Sequence, residues 1–228
     1  MNLKVLHEDN HLVAVFKPAG ILSQGDKTKD ASMLDEVKKY LKEKYQKKGN
    51  PYVGLLHRLD RPVSGIMLFA KTSKGASRLS EQFRNHEVEK TYHAIVLGKP
   101  TRNRGILINS LKKIKTQSSK FKTTAKNSKI NESALYYELV QSNGKYSLLK
   151  IKIETGKFHQ IRAQLSLAGF PILGDIKYGA PLPLSDKSIC LRATNLSFRT
   201  ATNEKLVKIS VKIPENWGEF TQLNSALR

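Results

Sequence analysis

Acidic residues are scarce in this chain. Across 228 residues, 19 Asp and Glu stand against 40 Lys and Arg, a formal net charge of +21. That imbalance points to a polyanionic partner, most simply nucleic acid, although a lysine-rich proteome would give the same balance without one. Cysteine is nearly absent. Cys190 is the single thiol, so no intrachain disulfide can form, and its neighbours Ile189 and Leu191 suggest a buried structural side chain. No His/Cys cluster has metal-ligand spacing. There is no P-loop or dinucleotide fingerprint, so the sequence indicates neither a metal nor a cofactor. No apolar run approaches the ~20 residues needed to span a bilayer, and the N-terminus opens on Leu3–Leu6 without the apolar core of a signal peptide. A cytoplasmic protein with no membrane contact is expected. Apolar residues make up 39% of the chain, which favours a globular domain over a disordered basic tail.

The most informative segment runs His57-Arg58-Leu59-Asp60-Arg61-Pro62, followed by Val63-Ser64-Gly65. One carboxylate lies between two guanidinium groups, which favours its ionised form. Taken alone, this window reads first as a surface ion pair at a turn. An ionised carboxylate near a nucleic acid backbone can also act as a nucleophile or a base. The apolar run Ile66–Ala70 comes next and has the length of a buried strand. The charged group is therefore anchored at the mouth of a core strand, a common position for functional residues.

Strand-like runs recur at 12–16, 65–70, 92–97, 134–140, 146–153, 189–193 and 206–211. Helices are predicted in three places. One follows a Ser32 cap, with Leu34, Val37, Tyr40 and Leu41 on its apolar face, and runs to Gly49. A second follows a Ser73 cap, with Ala76, Leu79 and Phe83 inward. A third runs from about Phe158 to Ala168 and stops at Gly169. This order predicts an α+β fold, with a mixed, largely antiparallel central sheet flanked by helices and loops. Residues 1–228 are expected to form a single domain. Within it, the lysine-rich stretch at about 99–131 reads as a mobile basic loop, either merely solvated or closing on RNA phosphates.

Four ordered blocks carry a family resemblance. His57–Gly65 (HRLDR-x-x-SG) resembles the signature around the catalytic aspartate of the RluA family of pseudouridine synthases. Glu89–Ala94 is similar to that family's EK-x-Y-x-A block, Thr155–Arg162 to its TGR-x-HQIR block, and Gly174–Gly179 to its GD-x-x-YG turn. The opening, Glu8–His11 and Lys17–Gly20, also fits. The resemblance implies an RNA pseudouridine synthase, an isomerase of ribosomal or transfer RNA processing. It implies a bare catalytic domain without an S4 module, monomeric and cofactor-free. Within it, Asp60 would be catalytic, Arg162 would orient it, and Tyr92 would lie beside the flipped base. Arg58 would fill the space the uridine vacates. His57, Arg61, Lys157, His159 and Ile161 would bind substrate or RNA, and Lys90 a phosphate or a neighbouring carboxylate. Helical spacing places His159 and Arg162 on one face, and Ile161 and Leu165 on another that faces the core.

Some positions depart from the family pattern. Val63 stands for a threonine, Lys157 for an arginine, Phe158 for a threonine, Arg192 for a histidine and Thr200-Ala201 for His-Pro. They bear on substrate choice and leave Asp60, Tyr92 and Arg162 in place. The alternative is a non-catalytic RNA-binding or ribosome-assembly protein on the same fold, which would tolerate loss of Asp60.

Overall fold

The computed structural model describes residues 2–115, 121–126 and 132–221. In chain order the elements are β1 (Val5–Glu8), β2 (Leu12–Lys17), α1 (Met33–Lys44), β3 (Gly54–Leu55), β4 (Ser64–Ala70), α2 (Ser73–Arg84) and β5 (Glu89–Leu97). Then come β6 (Arg104–Lys115), β7 (Phe121–Lys126), β8 (Glu132–Ser142), β9 (Tyr146–Ile153), α3 (Gln160–Leu167), β10 (Leu191–Arg199), β11 (Leu206–Ser210) and a short α4 (Gly218–Thr221). The expected α+β class is the one found. The ladders β1–β2, β2–β4, β3–β4, β5–β9, β6–β7, β6–β8, β8–β9 and β10–β11 are antiparallel, and Leu22 and Ser32 form a parallel bridge.

The chain divides into two compact units. The first holds the residues up to Glu89 together with Asn195–Val211; the second holds Lys90–Thr194 and the segment from Lys212 onward. In the first, β2 lies between β1 and β4, β3 also pairs with β4, and β11 pairs with β10. All seven residues of β4 are buried, as the apolar run predicts. Its core joins Leu12, Ala14, Ile66, Leu68, Leu79, Phe198 and Ile209.

Ser32 caps α1 as expected, its Oγ accepting from the Asp35 amide. The helix buries Met33, Val37 and Leu41 and ends at Lys44, before Gly49. Thr72, not Ser73, caps α2. The N-terminus of α2 sits close against the His11 turn. A Cβ on Gly75 would lie 2.6 Å from the His11 carbonyl oxygen, so only glycine fits there.

In the second unit the strands run in the order β5-β9-β8-β6-β7. The stretch expected as a loop at 99–131 is different: much of it forms β6 and β7, paired from Ser110–Lys126 to Lys115–Phe121. Residues 116–120 and 127–131 lie outside the described residues. Sequence reasoning missed these strands because lysines interrupt their apolar alternation. Helix α3 begins at Gln160, two residues later than predicted, because His159 adopts a left-handed conformation with φ 55°. It ends in the expected glycine cap, with the Phe170 amide donating to Leu165 O and the Gly169 amide to Ser166 O. Gln164, wholly buried, ties α3 to the sheet through Leu107 O, Asn109 Oδ1 and Ser133 O.

At the end of β1, Glu8 accepts from Lys71 Nζ (2.6 Å), Lys44 Nζ (2.7 Å), the Tyr45 hydroxyl (2.7 Å) and the Tyr40 hydroxyl (2.8 Å). Burial by itself would raise its pKa, but these four donors together hold it down to about 2, against an ordinary 4.5. The folded pKa lies below the unfolded one. The stabilisation is therefore complete above pH 4.5 and is lost as pH falls toward 2. Glu8→Gln is expected to cost roughly 1–3 kcal/mol near neutral pH in denaturant unfolding. Its deficit should shrink as pH falls through that window; a deficit independent of pH would contradict the assignment.

Candidate active site

The loop bearing Asp60 joins β3 to β4. Its turn closes on a hydrogen bond from the Val63 amide to Asp60 O (3.0 Å). The loop is held from beneath by the segment that follows β2. Lys17, wholly buried, donates from Nζ to Val63 O (2.7 Å), Pro18 O (3.0 Å) and Arg61 O (3.1 Å). Three carbonyls suit an ammonium, which has three donors and no acceptor. Burial pushes the Lys17 pKa down to about 7; the Asp60 carboxylate works against this fall and the Arg61 guanidinium adds to it. Ser23 Oγ grips the residue before Asp60 from both sides, donating to Leu59 O (2.6 Å) and accepting from the Leu59 amide (3.0 Å). Gly20 and Arg61 exchange two further bonds, Gly20 N to Arg61 O and Arg61 Nε to Gly20 O.

Asp60 itself is half-buried. The flanking arginines do not form the local ion pair that the window suggests. Arg61 reaches Asp30 at 2.8 Å across an exposed surface, where such a pair contributes little. Arg58 is exposed and makes no hydrogen bond or ion pair with the described residues, so its guanidinium is available to a ligand. His57 holds backbone. Its Nε2 accepts from the Leu68 amide (3.0 Å) and its ring stacks on Phe83 at 5.2 Å, which fixes the entry to β4.

In the second unit, Tyr92 lies mid-strand on β5 opposite Ile151, and its ring is buried. Two residues earlier on the same face, Lys90 is also buried and donates to Glu154 O (2.9 Å) and Thr155 O (3.5 Å). It clamps the turn after β9, and burial lowers its pKa. That turn leads through half-buried Lys157 to His159 and α3. Ile161 and Leu165 face the core as predicted.

Arg162 is 5% exposed and forks onto Asp175, itself 1% exposed, with Nε to Oδ2 at 2.7 Å and Nη2 to Oδ1 at 2.8 Å. The guanidinium Cζ lies over the Tyr178 ring, 4.9 Å from the centroid. His159 meets the same ring edge-on at 5.5 Å. The His159–Arg162 association thus passes through Tyr178 and not through a shared helical face. In the sequence Asp175, Tyr178 and Lys17 stand only as motif letters, and Ser23 carries no signal. Spacing does not show which polar residue is buried, and burial is what marks all four. Among the described residues no group of three or more His, Cys, Asp or Glu side chains stands close enough to hold a metal ion.

Comparison with known proteins gives one consistent answer. The model of the family described as RNA pseudouridylate synthase matches residues 11–167. A ribosomal large subunit pseudouridine synthase C from Rickettsia typhi is 36% identical over 214 residues, covering 92% of this chain and 68% of that protein. A tRNA pseudouridine synthase C from Haemophilus ducreyi is 34% identical over 233 residues, covering 95% and 93%. Among solved structures, human RNA pseudouridylate synthase domain containing 4 superposes with a TM-score of 0.75 at 25% identity, over 94% of this chain and 90% of that one. With the Asp60 loop and the Arg162 helix both lying within or against the matched span, the chain belongs to the RNA pseudouridylate synthase family, isomerases that convert uridine in RNA to pseudouridine.

Proposed function

We propose that this protein isomerises specific uridines in ribosomal or transfer RNA, with Asp60 as the catalytic carboxylate. The observation that supports this most strongly is the Asp60 loop, whose backbone Lys17 and Ser23 hold from below. Pre-organisation of a reacting group is a main source of rate. The relatives named for ribosomal and for transfer RNA support both substrate classes, and a net charge of +21 suits either.

The reaction breaks the N1–C1′ bond of uridine, turns the base, and forms a C5–C1′ bond. The C5 proton is released and N1 takes one up, so every heavy atom of the product comes from the substrate. No oxidant, reductant or energy source enters the balance. Asp60 can attack covalently or remove the ribose C2′ proton. The target nucleotide must first leave its stack, at a cost of a few kcal/mol. Arg58, exposed on the loop, occupies the vacated space; a planar guanidinium can stack and hydrogen-bond at once. Arg162 orients Asp60, and Tyr92 and Ile161 contact the uracil. Arg61, Lys157 and His159 contact the RNA. The family resemblance also carries a cytoplasmic location and a monomeric enzyme.

The test is to incubate the protein with total RNA from cells lacking it and to map pseudouridine chemically. New sites are expected with the wild type and none with Asp60→Ala, while Arg58→Ala should form product at least tenfold more slowly. Equal activity of Asp60→Ala, or no site with the wild type, would contradict the reading.

A further inference from the structure

One short turn in the second unit addresses Arg162 from two directions. Residues 175–179 fold as a single 3₁₀ turn, Ile176–Tyr178, closed by Gly179 at φ 102°. The Asp175 carbonyl accepts from the amides of both Tyr178 (2.9 Å) and Ala180 (3.1 Å). The same turn therefore presents a carboxylate to two nitrogens of the Arg162 guanidinium and an aromatic ring to its Cζ. The two-point fork fixes rotation of the group, and the ring blocks its displacement on one side. Together they leave the guanidinium little freedom.

The hydroxyl of Tyr178 points to a different element. It accepts from the Thr123 amide at 2.8 Å and lies 2.8 Å from His159 Nδ1, to which its own proton is assigned. Thr123 belongs to β7, and its side-chain hydroxyl donates to Phe158 O, at the turn into α3. Both Thr123 and Tyr178 are buried, at 3% and 2% exposure. If β7 moved away, a buried amide and a buried hydroxyl would lose their partners, a costly state. The β6–β7 hairpin also holds a dense run of cations in sequence: Lys112, Lys113, Lys115, Lys122 and Lys126.

We propose that Asp175 and Tyr178 are positioning residues of this enzyme: Asp175 fixes the Arg162 guanidinium, and the Tyr178 hydroxyl ties that guanidinium to the seating of the basic β6–β7 hairpin. RNA phosphates that hold the hairpin in place thereby hold Arg162 in place. The inference rests on the reading of Arg162 as a catalytic residue and deepens it. It supplies the means by which RNA bound at a distance from the reacting base favours the arrangement that reacts.

The experiment uses the full chain and an RNA in which the wild type makes pseudouridine. Single-turnover rate, RNA affinity and melting temperature are measured for Asp175→Asn, Tyr178→Phe, Thr123→Val, Tyr178→Phe with Thr123→Val, and Arg162→Ala. Tyr178→Phe keeps the ring over Arg162 and removes the hydroxyl, with its bonds to the Thr123 amide and His159 Nδ1. Asp175→Asn and Tyr178→Phe are each expected to slow the single-turnover step roughly 10- to 100-fold while RNA affinity stays within about threefold. Thr123→Val keeps the amide that meets Tyr178 and removes a second bond, from Thr123 Oγ1 to Phe158 O, that seats the same strand. The Tyr178/Thr123 double variant should react no more slowly than the slower single variant, because opening either bond already unseats β7. A merely structural role would lower the melting temperature and leave the rate of the folded enzyme unchanged. Wild-type rates in Asp175→Asn and Tyr178→Phe, with Arg162→Ala inactive, would overturn the proposal alone. So would fully additive losses in the double variant. If Asp175→Asn does not fold, the Tyr178→Phe rate and the double variant decide. A wild-type rate in Arg162→Ala would instead overturn the catalytic reading beneath the proposal, and the proposal with it.

Discussion

The first unit is organised around one buried ammonium. Lys17 ends β2 with no exposed surface and spends its three donors on three carbonyls, two of them in the loop that carries Asp60. An unpaired charge at that depth would be prohibitive. The loop must therefore adopt the one conformation in which Arg61 O and Val63 O converge on Nζ. Pro62 and the Asp60–Val63 turn are compatible with that geometry, and Ser23 fixes Leu59 on the near side. The catalytic segment is shaped less by its own conspicuous charges than by an interior cation some forty residues earlier in the chain.

The second unit uses the same device twice. Lys90 gathers the Glu154 and Thr155 carbonyls at the turn before α3, and Arg162 takes the Asp175 carboxylate. Lys17, Lys90 and Arg162 are the buried cations among the described residues. Each closes a loop that carries one of the family-like blocks. The positive charge thus has two uses. Most of it faces solvent, where it can meet phosphate, and a small buried part sets the geometry of the functional loops.

Legibility in the sequence followed burial. The strands of β2, β4, β5 and β9 were readable because their apolar residues have nowhere to go but inward, and Ser32 and Gly169 marked helix ends because capping is a local effect. β6 and β7 were not readable, since their alternation is broken by lysines. Asp60, Tyr92 and Arg162 stood out through motif likeness. Their supports, Lys17, Ser23, Asp175 and Tyr178, did not, because a polar residue looks the same in sequence whether it is solvated or wholly enclosed. His57 and Lys90 also hold backbone, which their motif letters do not reveal.

The central claim is that Lys17 pre-forms the Asp60 loop, and residue-resolved amide hydrogen exchange tests it directly. In the wild type the amides of Leu59 and Val63, bonded to Ser23 Oγ and Asp60 O, should exchange slowly. In Lys17→Met, which keeps the length of the side chain and removes its donors, both should exchange at least tenfold faster, while Ile95 and Leu97 in the second unit keep their protection. Unchanged protection at Leu59 and Val63 in the folded variant would contradict the account.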